Sequence, residues 1–227
     1  MYWSIRRRNL RRCCLRAERR ALGGERESLT PSELRTLRRL TTPAKIQKFL
    51  EELPYHHAPT AWSPRRVLRE GTAHCLEGAL LAAAALRVQG FPALLMDLEA
   101  VQDTDHVLSI FRQRGRWGAV AKSNYAGLRY REPVYRSLRE LAMSYFDSYY
   151  NYRGERTLRA HSGAVRLARF DRLQWMTSEA DLWAIPEHLA EVKHYPLLTP
   201  KMVRALTRLD RRNFDAGQVG AVIHHKR

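Results

Sequence analysis

The chain has 227 residues, of which 44% are hydrophobic and 28% are charged. These proportions are typical of a globular protein and exclude a chain that is disordered throughout. Forty Lys and Arg against 23 Asp and Glu give a net charge of +17, so we expect the surface to attract phosphates and other anions without a specific site.

Residues 1–28 are predicted to form a basic N-terminal arm. Residues 1–26 contain nine Arg against two Glu, and their few apolar side chains can bury little surface. We expect this arm to contact anionic partners such as nucleic acid non-specifically. The remaining residues, 29–227, are predicted to form one domain.

Three helices are predicted after the arm, and each starts with the same two-residue signal. A hydroxyl side chain precedes a proline at Thr30-Pro31, Thr42-Pro43 and Ser63-Pro64. The hydroxyl can accept a hydrogen bond from a free backbone N–H group, and Pro fits the first turn of a helix.

A fourth helix is predicted over residues 72–89. Leu76 to Val88 is apolar on nearly every side, which is typical of a helix buried in the middle of a core. Cys75 falls in its first turn. Glu77 follows two residues later, and we interpret it as an acidic residue that the helix dipole favours there.

The hydrophobic period changes after this helix. Alternating patterns predict strands over residues 93–98, 106–112 and 117–122, with a hairpin turn between the last two. Helical spacing returns over 134–150, near 178–194 and over 200–212. We therefore predict an α+β fold in which the buried, Cys-bearing helix packs on a small antiparallel sheet, with additional helices around it.

Cys75 at a helix start and His106 at a strand start are candidates for a nucleophile and its base. A helix N-terminus and a nearby imidazole both lower the pKa of a thiol, so we expect a depressed pKa for Cys75. The thiolate would attack a carbonyl, His106 would carry the proton, and the Cys75 backbone N–H could stabilise the oxyanion. Taken singly, each residue also fits a structural role, as a small buried Cys and a polar loop His.

The motifs around these two residues occur in a particular order: Gly71-Thr-Ala-His-Cys75-Leu-Glu-Gly, then Asp105-His106-Val, then Gly115-Arg-Trp117. Over roughly residues 64–124 this order resembles the transglutaminase-like superfamily, and residues 123–141 look like a bacterial subgroup of it. The resemblance implies a papain-like core. It also implies cysteine-dependent acyl transfer at the amide bond of a peptide or other amide substrate, by hydrolysis or transamidation through a thioester.

The third catalytic residue is where this sequence departs from the superfamily. The superfamily usually has an Asp four residues after the Trp, and Ala121 stands there. A hairpin loop of two or four residues would pair His106 with Ser123, and a loop of three would pair it with Asn124. We predict Asn124, because an amide oxygen can accept the imidazole N–H. The alternatives are Ser123, Asp97 and Asp105.

No metal or cofactor is predicted. The pairs Cys13-Cys14, His56-His57 and His224-His225 lack the spacing of zinc ligands. An odd number of cysteines, no apolar signal segment and no membrane-length apolar stretch predict a cytoplasmic protein without membrane contact. Two alternatives to the enzyme stay open: a non-catalytic binding module on the same fold, and a basic protein that binds nucleic acid through its arm.

Overall fold

A computed structural model describes residues 28–221. The basic arm, apart from Ser28, lies outside these residues, as do Cys13, Cys14 and the pair His224-His225. The described part of the chain is mixed α+β, which confirms the predicted fold class at this level.

The first three helices begin where the hydroxyl–proline signals predicted. They are α1 (Pro31–Arg39), α2 (Pro43–Glu52) and α3 (Pro64–Glu70). The preceding hydroxyls of Thr30, Thr42 and Ser63 accept hydrogen bonds from backbone N–H groups at 3.2, 3.2 and 3.3 Å. These caps fix the start of each helix.

Helix α4 (Cys75–Val88) is the predicted central helix, and every residue from Leu76 to Leu86 is buried. Its N-cap is His74, so the helix starts three residues later than the predicted range 72–89. The Thr72 hydroxyl instead donates to the Pro54 carbonyl at 2.9 Å, so it ties the preceding loop and is not available to the helix.

The sheet is larger than the sequence indicated. Within residues 28–221 its strands run antiparallel in the order β4-β3-β2-β1-β5-β7. The short strand β6 pairs with the start of β1, on the same edge of β1 as β5. The strands are β1 (Leu94–Ala100), β2 (His106–Gln113), β3 (Arg116–Val120), β4 (Arg131–Tyr135), β5 (Leu158–Ser162), β6 (Val165–Arg166) and β7 (His194–Pro196).

The β2–β3 hairpin has a two-residue loop, Arg114-Gly115, and both residues have positive φ, at 50° and 77°. Two positive φ angles are the mark of the tight turn that matches strand twist. Gln113 therefore pairs with Arg116, and Ser109 pairs with Val120. This register corrects the three-residue loop on which the prediction of Asn124 rested.

Alternation along the strands divides the core into two layers. Leu95, Val107 and Phe111 pack with α4 on one side of the sheet, here called the α4 face. Leu98 and Leu108 pack on the other side, here called the opposite face, against residues from the segment that follows β4.

The later helices are shorter than predicted. They are α5 (Leu138–Met143), α6 (Ala184–Glu191), α7 (Pro200–Arg204) and α8 (Arg211–Gly217). The predicted helix over 134–150 gives its first residues to β4, and α5 starts only after the hydroxyl of Ser137, which accepts from the Glu140 N–H at 3.1 Å. In the described part of the chain, none of the helices has the length and apolar character to cross a membrane.

Candidate functional site

Cys75 lies at the first residue of α4, half-buried, on the wall of a cavity of about 540 Å³. The cavity lies between the α4 start, strands β1 and β2, helix α6 and the loop before α3. Its lining includes Tyr55, His56, His57, Pro59, His74, Asp97, Asp105, Val107, Pro186 and Leu189. The predicted nucleophile thus faces a space that a ligand can enter.

The Cys75 thiol is held in its protonated form. Burial raises its pKa to about 11, and the negative charges of Asp97 and Glu77 act in the same direction. Backbone hydrogen bonds at Val107 and Leu76 favour the thiolate but are outweighed. The expected depressed pKa is therefore wrong in direction, because desolvation at this position exceeds the effect of the helix start.

His106 does not face Cys75. Its cross-strand partner is Leu98, which packs on the opposite face of the sheet, whereas Cys75 lies on the α4 face. The His106 ring Nε2–H donates to the Leu128 carbonyl at 2.9 Å, and burial lowers the pKa of the ring to about 4. The structure corrects the predicted pair: His106 is a buried, neutral, hydrogen-bonded side chain one layer away from the thiol.

The two residues predicted to orient His106, Asn124 and Ser123, lie in the segment after the end of β3. Asn124 follows the end of β3, and the ring bond goes to Leu128 instead. The Ser123 hydroxyl accepts from the Tyr125 N–H at 3.0 Å. Ala121, in the position of the superfamily's Asp, is buried, and its backbone N–H and C=O are both held by the Gln47 side chain, at 3.1 and 3.0 Å.

Asp97 is the buried carboxylate that shares the cavity with Cys75. It pairs across strands with Val107, whose backbone contacts the thiol, and it is 4% exposed. Its Oδ2 lies 3.0 Å from Nε2 of His194 on β7, and its backbone N–H donates to the Ser162 hydroxyl at 2.9 Å. Burial raises the pKa of Asp97 to about 6, although the His194 hydrogen bond lowers it.

Asp105, the other carboxylate of the cavity, closes the β1–β2 connection. Its Oδ1 accepts from the Ala100 N–H at 2.9 Å, which fixes the loop that leads into β2. Asp97 and Asp105 are the predicted alternatives as partners of His106, but the structure places both with Cys75 on the cavity wall.

Glu77 organises the loop that forms the other wall, a role that sequence reasoning missed. The side chain is fully buried and accepts four hydrogen bonds, from the Thr60 hydroxyl at 2.6 Å, the His56 ring at 3.1 Å, and the backbone N–H groups of Trp62 and His74 at 3.2 and 3.1 Å. The one sequence signal for this role is the position of Glu77 in the first turn of α4, two residues after Cys75.

Tyr55 occupies the position beside the α4 start. Burial raises the pKa of its phenol above the ordinary range, and the charge of Cys75 acts in the same direction. The Cys75 backbone has the contrary effect on this phenol.

His194 also escaped sequence analysis, since it belongs to no motif and lies far along the chain from Asp97. Among residues 28–221, no group of three or more His, Cys, Asp or Glu side chains is arranged to hold a metal ion. A scan against protein-family models gives no match to the chain, and a search of curated proteins gives no significant match. The transglutaminase-like resemblance therefore stays a prediction.

Proposed function

We propose that this protein carries out cysteine-dependent acyl transfer at an amide bond, with Cys75 as the nucleophile. The observation that carries the proposal is the position of Cys75, at a helix start and on the wall of a cavity of about 540 Å³. Cavities of roughly 300–1,000 Å³ are typical of small-molecule sites, so a peptide side chain or a small amide fits this one.

The reaction would proceed through a thioester. The Cys75 sulfur attacks the amide carbon, the amine leaves with a proton, and water or a second amine then releases the acyl group. The Sγ contact with the Val107 backbone places the thiol against β2, the strand whose first residues carry the superfamily-like motif. A papain-like arrangement of α4 on the sheet is part of this proposal.

The test uses p-nitrophenyl acetate as an acyl donor, with the full chain and its Cys75→Ala variant. We expect an acetyl group on Cys75, located by peptide mass spectrometry, and its conversion to a hydroxamate when hydroxylamine is added. A glutamine-containing peptide mixture in place of the ester then tests transfer from an amide. Absence of any acetylation at Cys75 in the folded wild-type protein would refute the proposal.

A second candidate is a non-catalytic binding module that holds a ligand in the same cavity. Two observations favour it: the pKa of the Cys75 thiol is raised to about 11, and His106 faces away from the thiol. This candidate predicts that peptides or small amides bind reversibly and equally well to the wild type and to Cys75→Ala, as measured by ligand-observed NMR. Binding without any acyl adduct would select it over the enzyme.

A further inference from the structure

We propose that Asp97 and His194 form the acid–base pair of the Cys75 site, in the role that the sequence motif gives to His106. This inference rests on the proposed acyl transfer at Cys75. It reverses the expected arrangement, because the carboxylate faces the thiol and the imidazole stands behind the carboxylate.

The register of the sheet brings Asp97 to the thiol. Asp97 and Val107 are cross-strand partners, so their side chains project from the same face of the sheet. The Val107 backbone contacts the Cys75 sulfur, and both Cys75 and Asp97 line the cavity. A substrate bound in the cavity would therefore lie between the nucleophile and a carboxylate.

His194 is held so that one proton must lie between its ring and Asp97. The Nδ1 atom lies 2.9 Å from the Val192 carbonyl, which can only accept, so Nδ1 carries a hydrogen. In the neutral ring Nε2 would then be a bare acceptor facing Oδ2 of Asp97 at 3.0 Å. The bond exists only if a proton sits between them, either on the ring or on the carboxyl.

This pair can therefore stay buried and still exchange a proton. Its net charge is zero with one proton shared, which keeps the desolvation cost below that of an isolated carboxylate. A second proton, taken from the thiol, can be accepted by the carboxylate while the ring remains an imidazolium.

The Cys75 thiol proton moves to Asp97 as the sulfur forms a bond to the substrate carbonyl carbon. The same proton passes from Asp97 to the amine nitrogen as the C–N bond breaks, which leaves a thioester on Cys75 and a free amine. Water or a second amine then attacks the thioester, gives its proton to Asp97, and the proton returns to the Cys75 sulfur as the acyl group leaves.

Several titratable groups lie near Asp97 and influence the pH at which it can act. Negative charges at Asp105 and Glu99 raise its pKa, and the His194 hydrogen bond lowers it. The groups around it are Glu99 on its own strand, Asp105 on the β1–β2 loop, His194 on β7, Cys75 on α4 and Tyr149 beyond α5.

The test follows acetylation of Cys75 by p-nitrophenyl acetate under single-turnover conditions from pH 5 to 9. In the wild type we expect the rate to rise with pH through about 6 and then level off, as Asp97 loses its proton. Asp97→Asn should lower the rate at neutral pH by about 100-fold or more, the usual effect of losing a general base. Its rate should then climb about tenfold per pH unit, because the thiolate must form without help.

His194→Ala separates a proton-holding role from a structural one. Loss of the ring removes a hydrogen bond that lowers the pKa of Asp97, so the rising limb of the profile should move to higher pH. The matched control is His161→Gln. His161 is buried on the neighbouring strand, but its partner Leu98 places it on the opposite face, so its replacement should leave the limb unmoved.

The outcomes separate the two proposals. No acetyl group on wild-type Cys75 overturns the proposed function and this inference with it. Acetylation of Cys75 with superimposable profiles for wild type and a folded Asp97→Asn, checked by circular dichroism, overturns the inference alone. If Asp97→Asn does not fold, the variants of the half-buried His194 and of His161 provide the test. The inference is overturned if the rise of the acetylation rate with pH does not move in His194→Ala, or if it moves equally far in His161→Gln.

Discussion

Replacement of Glu77 is the sharpest test of how the cavity wall is built. The carboxylate is fully buried and is the shared acceptor of four donors, two of which are backbone N–H groups that cannot turn away. Hydrogen bonds to a charged group contribute about 1.5–3 kcal/mol each, and they do not add in full. Breaking a buried charged network costs about 3–5 kcal/mol in total, which is the expected loss for Glu77→Ala.

Glu77→Gln gives the intermediate case. Its amide oxygen can replace one carboxylate oxygen, but its NH2 group must then face a backbone N–H, either that of Trp62 or that of His74. One orphaned donor costs about 1–3 kcal/mol, so we expect a loss in the free energy of unfolding in that range. Urea denaturation followed by tryptophan fluorescence measures both variants, with the exposed Glu52→Ala as a control expected within about 0.5 kcal/mol of wild type.

The pH dependence has a definite sign. Burial alone would raise the pKa of Glu77, but the contacts with His74, Thr60 and His56 prevail and lower it below its ordinary value. A depressed folded-state pKa stabilises the protein above the unfolded value of about 4.3, and this stabilisation is lost as the pH falls through the folded value. A Glu77→Gln variant as stable as wild type at pH 7, within about 0.5 kcal/mol, would refute the reasoning.

Three further predictions concern α4 and its neighbours. Gly78→Ala should destabilise the protein by about 1–3 kcal/mol in the same urea assay, because the new Cβ would lie 2.3 Å from Lys122 Cβ; Gly163→Ala, with open space around it, should be nearly neutral. Native Cys75 should react with iodoacetamide at pH 8 at least about tenfold more slowly than Cys75 in guanidinium; equal rates in the folded and unfolded protein would contradict the raised pKa. Burial lowers the pKa of Lys122 to about 8, so the free energy of unfolding should rise with pH between about 8 and 10.4. The difference in this free energy between wild type and Lys122→Met should rise over the same pH range, and a difference that does not depend on pH would contradict the lowered pKa.

Most of the α4 layer could be predicted from the sequence because local signals determine it. A helix that is apolar on all sides has to be buried in the core. The hydroxyl–proline signals fix three helix starts by hydrogen bonds within one turn. Strand β7, by contrast, has three residues and no alternating pattern of its own. It exists through its pairing with β5, which sequence periodicity cannot indicate.

The candidate site was only half predictable, for a reason that concerns side-chain direction. The position of Cys75 follows from its helix, and α4 is well marked. The face on which a strand residue lies depends on its register, and a shift of one residue exchanges the two faces. The motif places His106 at the start of β2 correctly, but it says nothing about which side of the sheet the ring takes.

One strand register, that between β1 and β2, places His106 outside the site and Asp97 in it. In the register that pairs Leu98 with His106, Asp97 pairs with Val107. Neighbouring residues of a strand project to opposite faces, so Asp97 and Val107 lie on the α4 face when Leu98 and His106 lie on the other. The same ladder that turns the imidazole toward Leu128 therefore turns a carboxylate toward the thiol. The next strands extend this row: Asp97 is hydrogen-bonded to Ser162, and Ser162 is the partner of His194. A histidine that the sequence places nearly a hundred residues away thus reaches the site through three adjacent strands, and the acid–base pair is a property of the assembled sheet and not of any local motif.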